Sequence, residues 1–571
     1  MKKVFYYLKP YRLRILIGFI IKVLGTFMDL GLPWVLAYII DSVIPYKKIS
    51  MILWWGAVMI ALSIGARTFN IIANRNAASV ARDTTHNLRY DLFHKILKLS
   101  GSQLDYFTVP SLESRMTTDT YNIHNMIGMM QRIGVRAPII LMGGIVITSL
   151  MEPVLALILI GILPLLFLVV YIVSKKGIPL YTELQISIDK MIRVVRENIS
   201  GIRIIKALSK TEYEKKRYYQ INSEVVHKEL RAGTTMAVTN PIMNLLLNLG
   251  LTFVVVLGAY RVNIGVSKPG KIVAFLSYFT IILQAVMAIT RTFVVFSKAS
   301  ASAGRIAEVL DIDEDLKVAD HPPEDKENEN HESLIEFDHV SFSYTKEPSI
   351  IDMNFNLKRG ESLGIIGSTG SGKTTLINLL MRFYDVSEGS IKLEGRDIRT
   401  FDKQELRKRF GVVFQNDVLF SDKISENISL GRTLSMDQIY ESVEHAQAAS
   451  FIGELDQTLD FRLSIKGSNL SGGQKQRLLV ARALAGNPEI LILDDASSAL
   501  DFKTDSLLRK VIRENYQETT MIVIAQRISS VMKLDHILVL EDGQMAGYGT
   551  HEELLYSCEV YQEIYQSQLM S

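Results

Sequence analysis

The sequence predicts an α-helical transmembrane domain of six helices with long polar extensions, followed by an α/β domain built on a phosphate-binding loop. Three observations carry that expectation. Long apolar runs are confined to residues 1–300, although hydrophobic residues make up 48% and charged residues 22% of the chain. GSTGSGKT at 367–374 lies between a strand pattern and a helix pattern. ILILD at 490–494 is an apolar strand ending in a carboxylate.

Six segments suit a hydrocarbon core of about 30 Å, which takes about 20 residues of helix. They fall near 13–41, 52–76, 131–151, 153–174, 236–260 and 271–296. Connections alternate in length, with short ones at 42–51, at Met151-Glu152-Pro153 and at 261–270. The long ones, 77–130 and 175–235, keep an amphipathic helical pattern. Helical legs should therefore project about 30 Å beyond the bilayer, at about 1.5 Å per residue. The second long connection carries thirteen Lys or Arg, which suits the cytoplasmic side. The opening MKKVFYYLKPYRLR has no small-residue cleavage site after it and reads as an interfacial helix stopped near Pro10, in contact with membrane lipid.

Charge and cysteine content exclude other classes. A net charge of +3 over 571 residues gives no case for a nucleic-acid partner. A single cysteine, Cys558, rules out an internal disulfide, and the 10 histidines are scattered rather than grouped as metal ligands. The domain boundaries expected are 1–310 for the membrane domain, 311–333 for an acidic linker with two prolines, and 334–571 for the nucleotide-binding domain, which opens on the alternating strand LIEFDHVSFSY.

In SLGIIGSTGSGKTTLINLLMRF, residues 362–383, the pattern G-x-x-x-x-G-K-[ST] is complete. Gly367, Ser368, Thr369, Gly370, Ser371 and Gly372 form a loop whose backbone N–H groups can curl around phosphates, with Thr375 in the helix that follows. Lys373 supplies positive charge, and Thr374 offers a hydroxyl to Mg²⁺. Asp494 is the carboxylate expected to orient that metal. ATP and Mg²⁺ are therefore the ligands predicted. A second anion-binding helix start, LSGGQ at 470–474, makes sense if it caps ATP held by another domain.

Together these stretches resemble an ABC exporter half-transporter. The P-loop, Gln415 in GVVFQND, LSGGQ, ILILD and SALD match the ATPase motifs of that family in order and spacing. PWVLAYIID at 33–41, ENISGIRIIKALSKTE at 197–212 and the stretch from VAFLSYF to SASAGRIAEVLD at 273–311 match its membrane half. The resemblance implies an α-helical transmembrane domain followed by an α/β P-loop ATPase domain with a helical subdomain. It also implies that Tyr344 stacks on adenine, unless it is an ordinary strand aromatic, and that Gln415 joins Thr374 around Mg²⁺, unless it caps a helix. Leu470, Ser471, Gly472, Gly473 and Gln474 would complete a partner's ATP site. Ser498, Ala499, Leu500 and Asp501 would form a dimer-interface loop. Coupling turns are implied at 109–122 and just after Gly201, the alternative being plain hairpin ends.

Two positions depart from the family pattern. Asp495 stands where a glutamate base is usual, and Gln526 where a switch histidine is usual. Asp is one C–C bond shorter, about 1.5 Å. A base must lie within roughly 3 Å of the attacking water, and misplacement by about 1 Å costs about 10²-fold. Gln526 can donate a hydrogen bond but cannot carry charge. FRLSIKGSNLSGG also lacks the acidic-basic pair usual before the signature.

The reading is a degenerate-site subunit of a bacterial heterodimeric multidrug-type exporter, multi-pass in the plasma membrane with its ATPase domain cytoplasmic. Its partner half-transporter would carry Glu and His, and its cargo would be an amphipathic drug-like molecule or peptide. No protease-like domain precedes the first span, so leader-peptide processing is not expected. The alternative is an ATP-gated regulatory membrane protein, or a homodimer with slow turnover. Lys22 and Asp29, seven positions apart on one face of the first span, and Arg291 in the sixth are candidates for cargo contact or gating. Inter-helix pairing or snorkelling is the competing explanation.

Overall fold

A computed structural model describes residues 1–319, 333–496 and 498–569. They form two compact units, residues 1–97 with 110–312, and residues 98–109 with 313–569.

Among the described residues six helical spans are long and apolar enough to cross a membrane: Lys2–Tyr46, Ile49–Ile96, Val109–Met151, Pro153–Ser200, Thr211–Asn263 and Pro269–Asp311. Ile49–Ile96 and Pro153–Ser200 are unbroken helices of 48 residues. At about 1.5 Å per residue each is about 72 Å long, against about 30 Å of hydrocarbon. The polar extensions are thus the same helices continued. The first span begins with a short helix, Lys2–Leu8, and a 3₁₀ turn at Lys9–Tyr11, where Pro10 withholds a backbone donor. The fifth is interrupted at Val238, between Thr211–Ala237 and Thr239–Asn263, just before Pro241. The third contains two π-helical turns, Arg115–Asp119 and Met130–Gly134.

Spans one, three, four, five and six share a core of Leu30, Leu155, Leu159, Met243, Val254, Phe275, Phe279, Ile282 and Val286, with Gly144 bringing span three onto span six. A Cβ at Gly144 would stand 2.7 Å from Ile282 Cδ1. Tyr278, fully buried, donates its hydroxyl to the Leu30 carbonyl at 2.6 Å, so its polar tip is satisfied inside the bundle. The expected turn at Met151-Glu152-Pro153 is one extended residue, Glu152, whose buried carboxylate binds Arg261 and Ser267.

The second unit contains two sheets. The strands are β1 Ile335–Phe342, β2 Ile350–Leu357, β3 Ser362–Gly367, β4 Glu388–Leu393, β5 Arg396–Asp397, β6 Phe410–Val413, β7 Ile490–Asp494, β8 Thr520–Ile524, β9 His536–Glu541 and β10 Gln544–Gly549. The first sheet is antiparallel in the order β2-β1-β4-β5; the second runs β10-β9-β3-β8-β7-β6. Strands β9, β3, β8, β7 and β6 are parallel, and β10 returns antiparallel on β9. All five residues of β7 are buried, the signature of a central strand covered on both faces. Apolar faces of the helices Met436–His445 and Gly472–Leu484 pack in a core with Leu491, Leu493 and Val523.

Two expected boundaries shift. Residues 313–319, assigned to the linker from their acidity, pack within the second unit. Leu316 is buried there, and the Ala319 amide donates to the Arg399 carbonyl at 2.9 Å. The rest of the expected linker, 320–332, lies outside the described residues. The second shift lies within the expected membrane domain, 1–310, just ahead of the turn expected at 109–122. It is 98–109 that joins the second unit, through the helix Gly101–Phe107, whereas 110–122 stays in the first.

The reason is local chemistry. Ser100 and Gln103 close a capping box on Gly101–Phe107. Ser100 and Ser102 hydroxyls both donate to Asp315, at 2.6 and 2.7 Å, and Gln103 Nε2 donates to the Asp313 carbonyl at 2.7 Å. Tyr384 donates to Asp105 at 2.6 Å, and the Gly101 amide to the Phe383 carbonyl at 3.1 Å.

Candidate functional site

Strands β3, β8, β7 and β6 are consecutive neighbours in one sheet, and their carboxyl ends deliver the predicted residues to one edge. In open parallel sheets that edge is where ligands bind. The loop after β3 carries Gly367–Lys373, β8 leads to Gln526, β7 ends at Asp494, and β6 leads to Gln415. Tyr344, Thr369, Gly370, Gly372, Lys373, Thr374, Thr375, Gln415, Asp494, Asp495 and Gln526 line one cleft of about 580 Å³. Gly367, Ser368 and Ser371 belong to the loop but not to the wall of that cleft; Ser371 is buried beneath it.

The loop's shape requires glycine at two places. Gly370 and Gly372 have φ of +89° and +99°, the left-handed region, and a Cβ on Gly372 would stand 2.6 Å from Ile350 Cδ1. Lys373 follows at the first position of the helix Lys373–Leu380. Its ammonium donates to the carbonyls of Gly367 and Ser368 at 2.9 and 2.6 Å, so the loop holds it by neutral acceptors. Burial pushes the Lys373 ammonium below its usual value, against the raising influence of Asp494. An anion placed in the cleft would reverse that shift, which is to say that the lysine favours one.

Asp494 is buried, and Thr374 Oγ1 donates to its Oδ2 at 3.3 Å. Burial raises the Asp494 carboxyl; the Thr374 hydrogen bond opposes this, and nearby Asp495 adds to it. Asp495 is raised as well, again by burial first, with Arg527 and the Gln415 side chain pulling the other way. A hydroxyl, a carboxylate and an amide oxygen at one edge are hard donors, the set that suits a Mg²⁺ retaining water and phosphate oxygens. The donor set therefore fits that ion.

Tyr344 lines the cleft and is 44% exposed, its ring set edge-on to Phe342 and Tyr384. Exposure on one side leaves room for a stacked base, and edge contacts on the other fix the ring.

Asp495 has a positive φ of 54°. That conformation is uncommon for a non-glycine residue, and here the Asp495 amide holds it by donating to the Ile524 carbonyl at 3.0 Å. With Gln526 it also lines a second cleft of about 750 Å³ that includes Ser498, Leu500 and Arg527. The two departures from the family pattern therefore stand where the clefts meet.

The signature segment lies apart from the first cleft. Ser471 caps the helix Gly472–Leu484, and Gln474 closes the box by accepting from the Ser471 amide at 2.9 Å. Cβ atoms on Gly472 and Gly473 would stand 3.3 and 3.1 Å from Ala499. Asp501 caps the next helix, Phe502–Asn515.

Two positioning residues escaped the sequence reading. Gln476, on the signature helix, donates to Ser498 Oγ at 3.0 Å and accepts from the Ala499 amide at 2.9 Å, which ties LSGGQ to SALD. Gln568, in the C-terminal helix Glu559–Leu569, donates to the Gln526 carbonyl and accepts from the Ile528 amide, both at 2.8 Å. Gln476 sits close behind the signature serine and offered some signal. Gln568 is 42 residues from its partner and offered none.

In the membrane unit, Asp29 pairs with Arg136 at 2.9 Å and Lys22 donates to Asn74 at 3.0 Å. Asp29 lines a cleft of about 550 Å³; Arg291 does not.

Comparison with known proteins decides the family. Residues 15–286 match the ABC transporter transmembrane region and residues 350–498 match the ABC transporter ATPase model. The ABC transporter ATP-binding protein YfiB of Bacillus subtilis is 35% identical over 571 residues, 100% of this chain and 98% of that one. The chain belongs to the ABC transporter family. A fatty acid ABC transporter ATP-binding/permease protein of Mycobacterium bovis is 31% identical over 89% of this chain and 80% of its own length. A solved bacterial Atm1-family ABC exporter with ATP bound superposes with a TM-score of 0.82 at 25% identity, covering 98% of both chains. This ABC transporter is thus a half-transporter of exporter type, six spans followed by an ATPase domain that hydrolyses ATP to drive transport.

Proposed function

We propose that this chain is one half of a heterodimeric exporter that moves an amphipathic small molecule or peptide outward across a bacterial plasma membrane. Its own ATP site would hydrolyse slowly, and its LSGGQ would complete the partner's active site. The observation that carries this reading is the pairing of Asp495 and Gln526 where the two clefts meet, beside an intact loop from Gly367 to Thr374. Binding groups are retained while the two groups expected to act on the attacking water are shortened or uncharged.

The roles follow from chemistry. Backbone amides of the loop and Lys373 hold the phosphates, Tyr344 faces the base, and Thr374, Gln415 and Asp494 hold Mg²⁺. Bound there, the metal would neutralise phosphate charge. Asp495 takes the proton from water less effectively than a glutamate would, and Gln526 donates a neutral hydrogen bond where a charged one would stabilise more. Gln568 keeps Gln526 in place through its backbone. The mycobacterial relative named for fatty acids supplies one amphipathic class to try as cargo.

The test is to extract the tagged chain gently from its native membrane and identify what co-purifies one to one. A different half-transporter with Glu and His at the matching positions is expected. Asp495→Glu with Gln526→His should then raise ATP turnover at this chain's site by at least about tenfold, given about 10²-fold for a misplaced base. Recovery of this chain paired only with itself, with no gain from those variants, would sink the heterodimer reading in favour of an ATP-gated regulator.

A further inference from the structure

We infer that the cargo of the membrane unit carries an anionic headgroup, a carboxylate or phosphate on an apolar tail, and that Arg136 receives it. The inference rests on the export reading and adds the chemical class of what is carried. The cleft of about 550 Å³ between spans one, two, three and six is within the range of a single-ligand pocket. Its wall is largely apolar, with Leu36, Ile140 and Ile281 among the lining residues, and Asp29 and Arg136 are its charged members.

The charge balance around that wall is uneven. Lys22 lies within electrostatic reach of Arg136, Asp29 and Arg132. Among the described residues of this cluster, three cations meet one carboxylate. Asp29 already serves Arg136 at 2.9 Å and Asn70 at 3.2 Å. Lys22 is only 3% exposed, and its acceptor is the neutral amide oxygen of Asn74. Arg132 Nε has a backbone carbonyl, Gly128, at 3.0 Å. The Nε of Arg136 is buried with no acceptor at all.

Ionisable groups in a membrane are costly and persist where they face a cavity or a partner. Here the surplus is positive, so an anion relieves it and a cation worsens it. Arg136 lines the cleft, whereas Lys22 and Arg132 are not among its lining residues and contribute potential rather than contact. A guanidinium can also bind a carboxylate or phosphate by two parallel hydrogen bonds, which fixes the headgroup while the tail lies along the apolar wall. The π-helical turn Met130–Gly134 falls just before Arg136, an irregularity that recurs at functional sites.

The experiment uses the full complex as extracted, placed in lipid nanodiscs, with a diazirine-bearing dodecanoate as photolabel. Saturable labelling of the 132–140 segment is expected. Unlabelled dodecanoate should displace it at least about tenfold more effectively than the chain-matched cation dodecyltrimethylammonium. Arg136→Gln should raise the displacement midpoint about tenfold, and Arg136→Lys should restore part of it. Lys22→Gln leaves the Asp29–Arg136 pair intact and should raise the midpoint by a smaller factor, roughly threefold.

Equal or better displacement by the cation, absence of saturable labelling, or indifference to both Gln variants would each overturn the inference. Labelling needs no turnover. A complex that binds the anion but does not export it would therefore refute the transport reading alone, and one that exports a cation would refute this inference alone.

Discussion

Asp494 and Asp495 are adjacent carboxyls in different surroundings. Asp494 is buried against a hydroxyl, and Asp495 is turned by a left-handed backbone towards two clefts. Both carboxyls are raised by burial, so they take up protons at a higher pH than an ordinary aspartate. Turnover should consequently be lost on the acid side earlier than an unperturbed carboxylate would dictate, as a pH–rate profile of the complex will show. The sign for stability follows. A carboxyl raised in the folded state costs stability in full above its folded pKa, and the cost is relieved as pH falls through that value towards the unfolded one. Asp494→Asn should therefore abolish hydrolysis at this site while raising the melting temperature at neutral pH. About 1 kcal/mol would correspond to roughly 2–4 °C for a domain of this size. A fall in melting temperature would mean that the ionised carboxylate is a net stabiliser.

Single elements explain more than their motifs suggest. LSGGQ owes its serine and glutamine to a capping box, and its glycines to close approach of Ala499. Any role towards a partner is added to those local requirements. The helix Gly101–Phe107 is held in the second unit by Asp315, Tyr384 and the Phe383 carbonyl. A Cβ on Gly101 would stand 2.6 Å from the Tyr384 ring. Gly101→Val should loosen residues 98–109, measured as faster amide exchange there, while nucleotide affinity stays unchanged. Gln568→Ala should speed exchange at 526–528 without altering nucleotide affinity, because it removes hydrogen bonds to the backbone of the switch segment and none to Lys373 or the phosphate loop. Unchanged exchange in that variant would show that β8 alone fixes the segment.

At the scale of the whole molecule, each unit has its own core: one is built from residues of spans one, three, four, five and six, the other around the strands of the two sheets. Nucleotide should therefore stabilise one of them selectively. At ATP a hundredfold above its dissociation constant the gain is about 2.7 kcal/mol. A thermal scan should show one transition moving upward and another staying in place, and Lys373→Ala should cancel the shift. Within the second unit Arg382 is the buried organiser: 1% exposed, it binds Asp385 and the carbonyls of Arg399 and Lys317. Arg382→Ala should destabilise that unit by about 3–5 kcal/mol, the range for breaking a buried charge pair.

The sequence alone determined what local chemistry can state. Apolar runs about 20 residues long count spans, a glycine-spaced loop before a helix makes a phosphate cradle, and a carboxylate closing a buried strand marks a metal position. Asp495 and Gln526 were legible as departures because each belongs to a motif of contiguous residues. Tertiary structure decided whatever depends on neighbours distant in the chain. Acidic composition made 313–319 look like linker until Lys317 and Ala319 proved to have partners at Arg382 and Arg399, and 98–109 could not be assigned to the second unit before Tyr384 and Asp315 were placed beside it. Asp29 could not be paired with Arg136, 107 residues away, from spacing along one helix. Local pattern reports which backbone and which chemistry a segment can support; only packing supplies the partner that satisfies its charge.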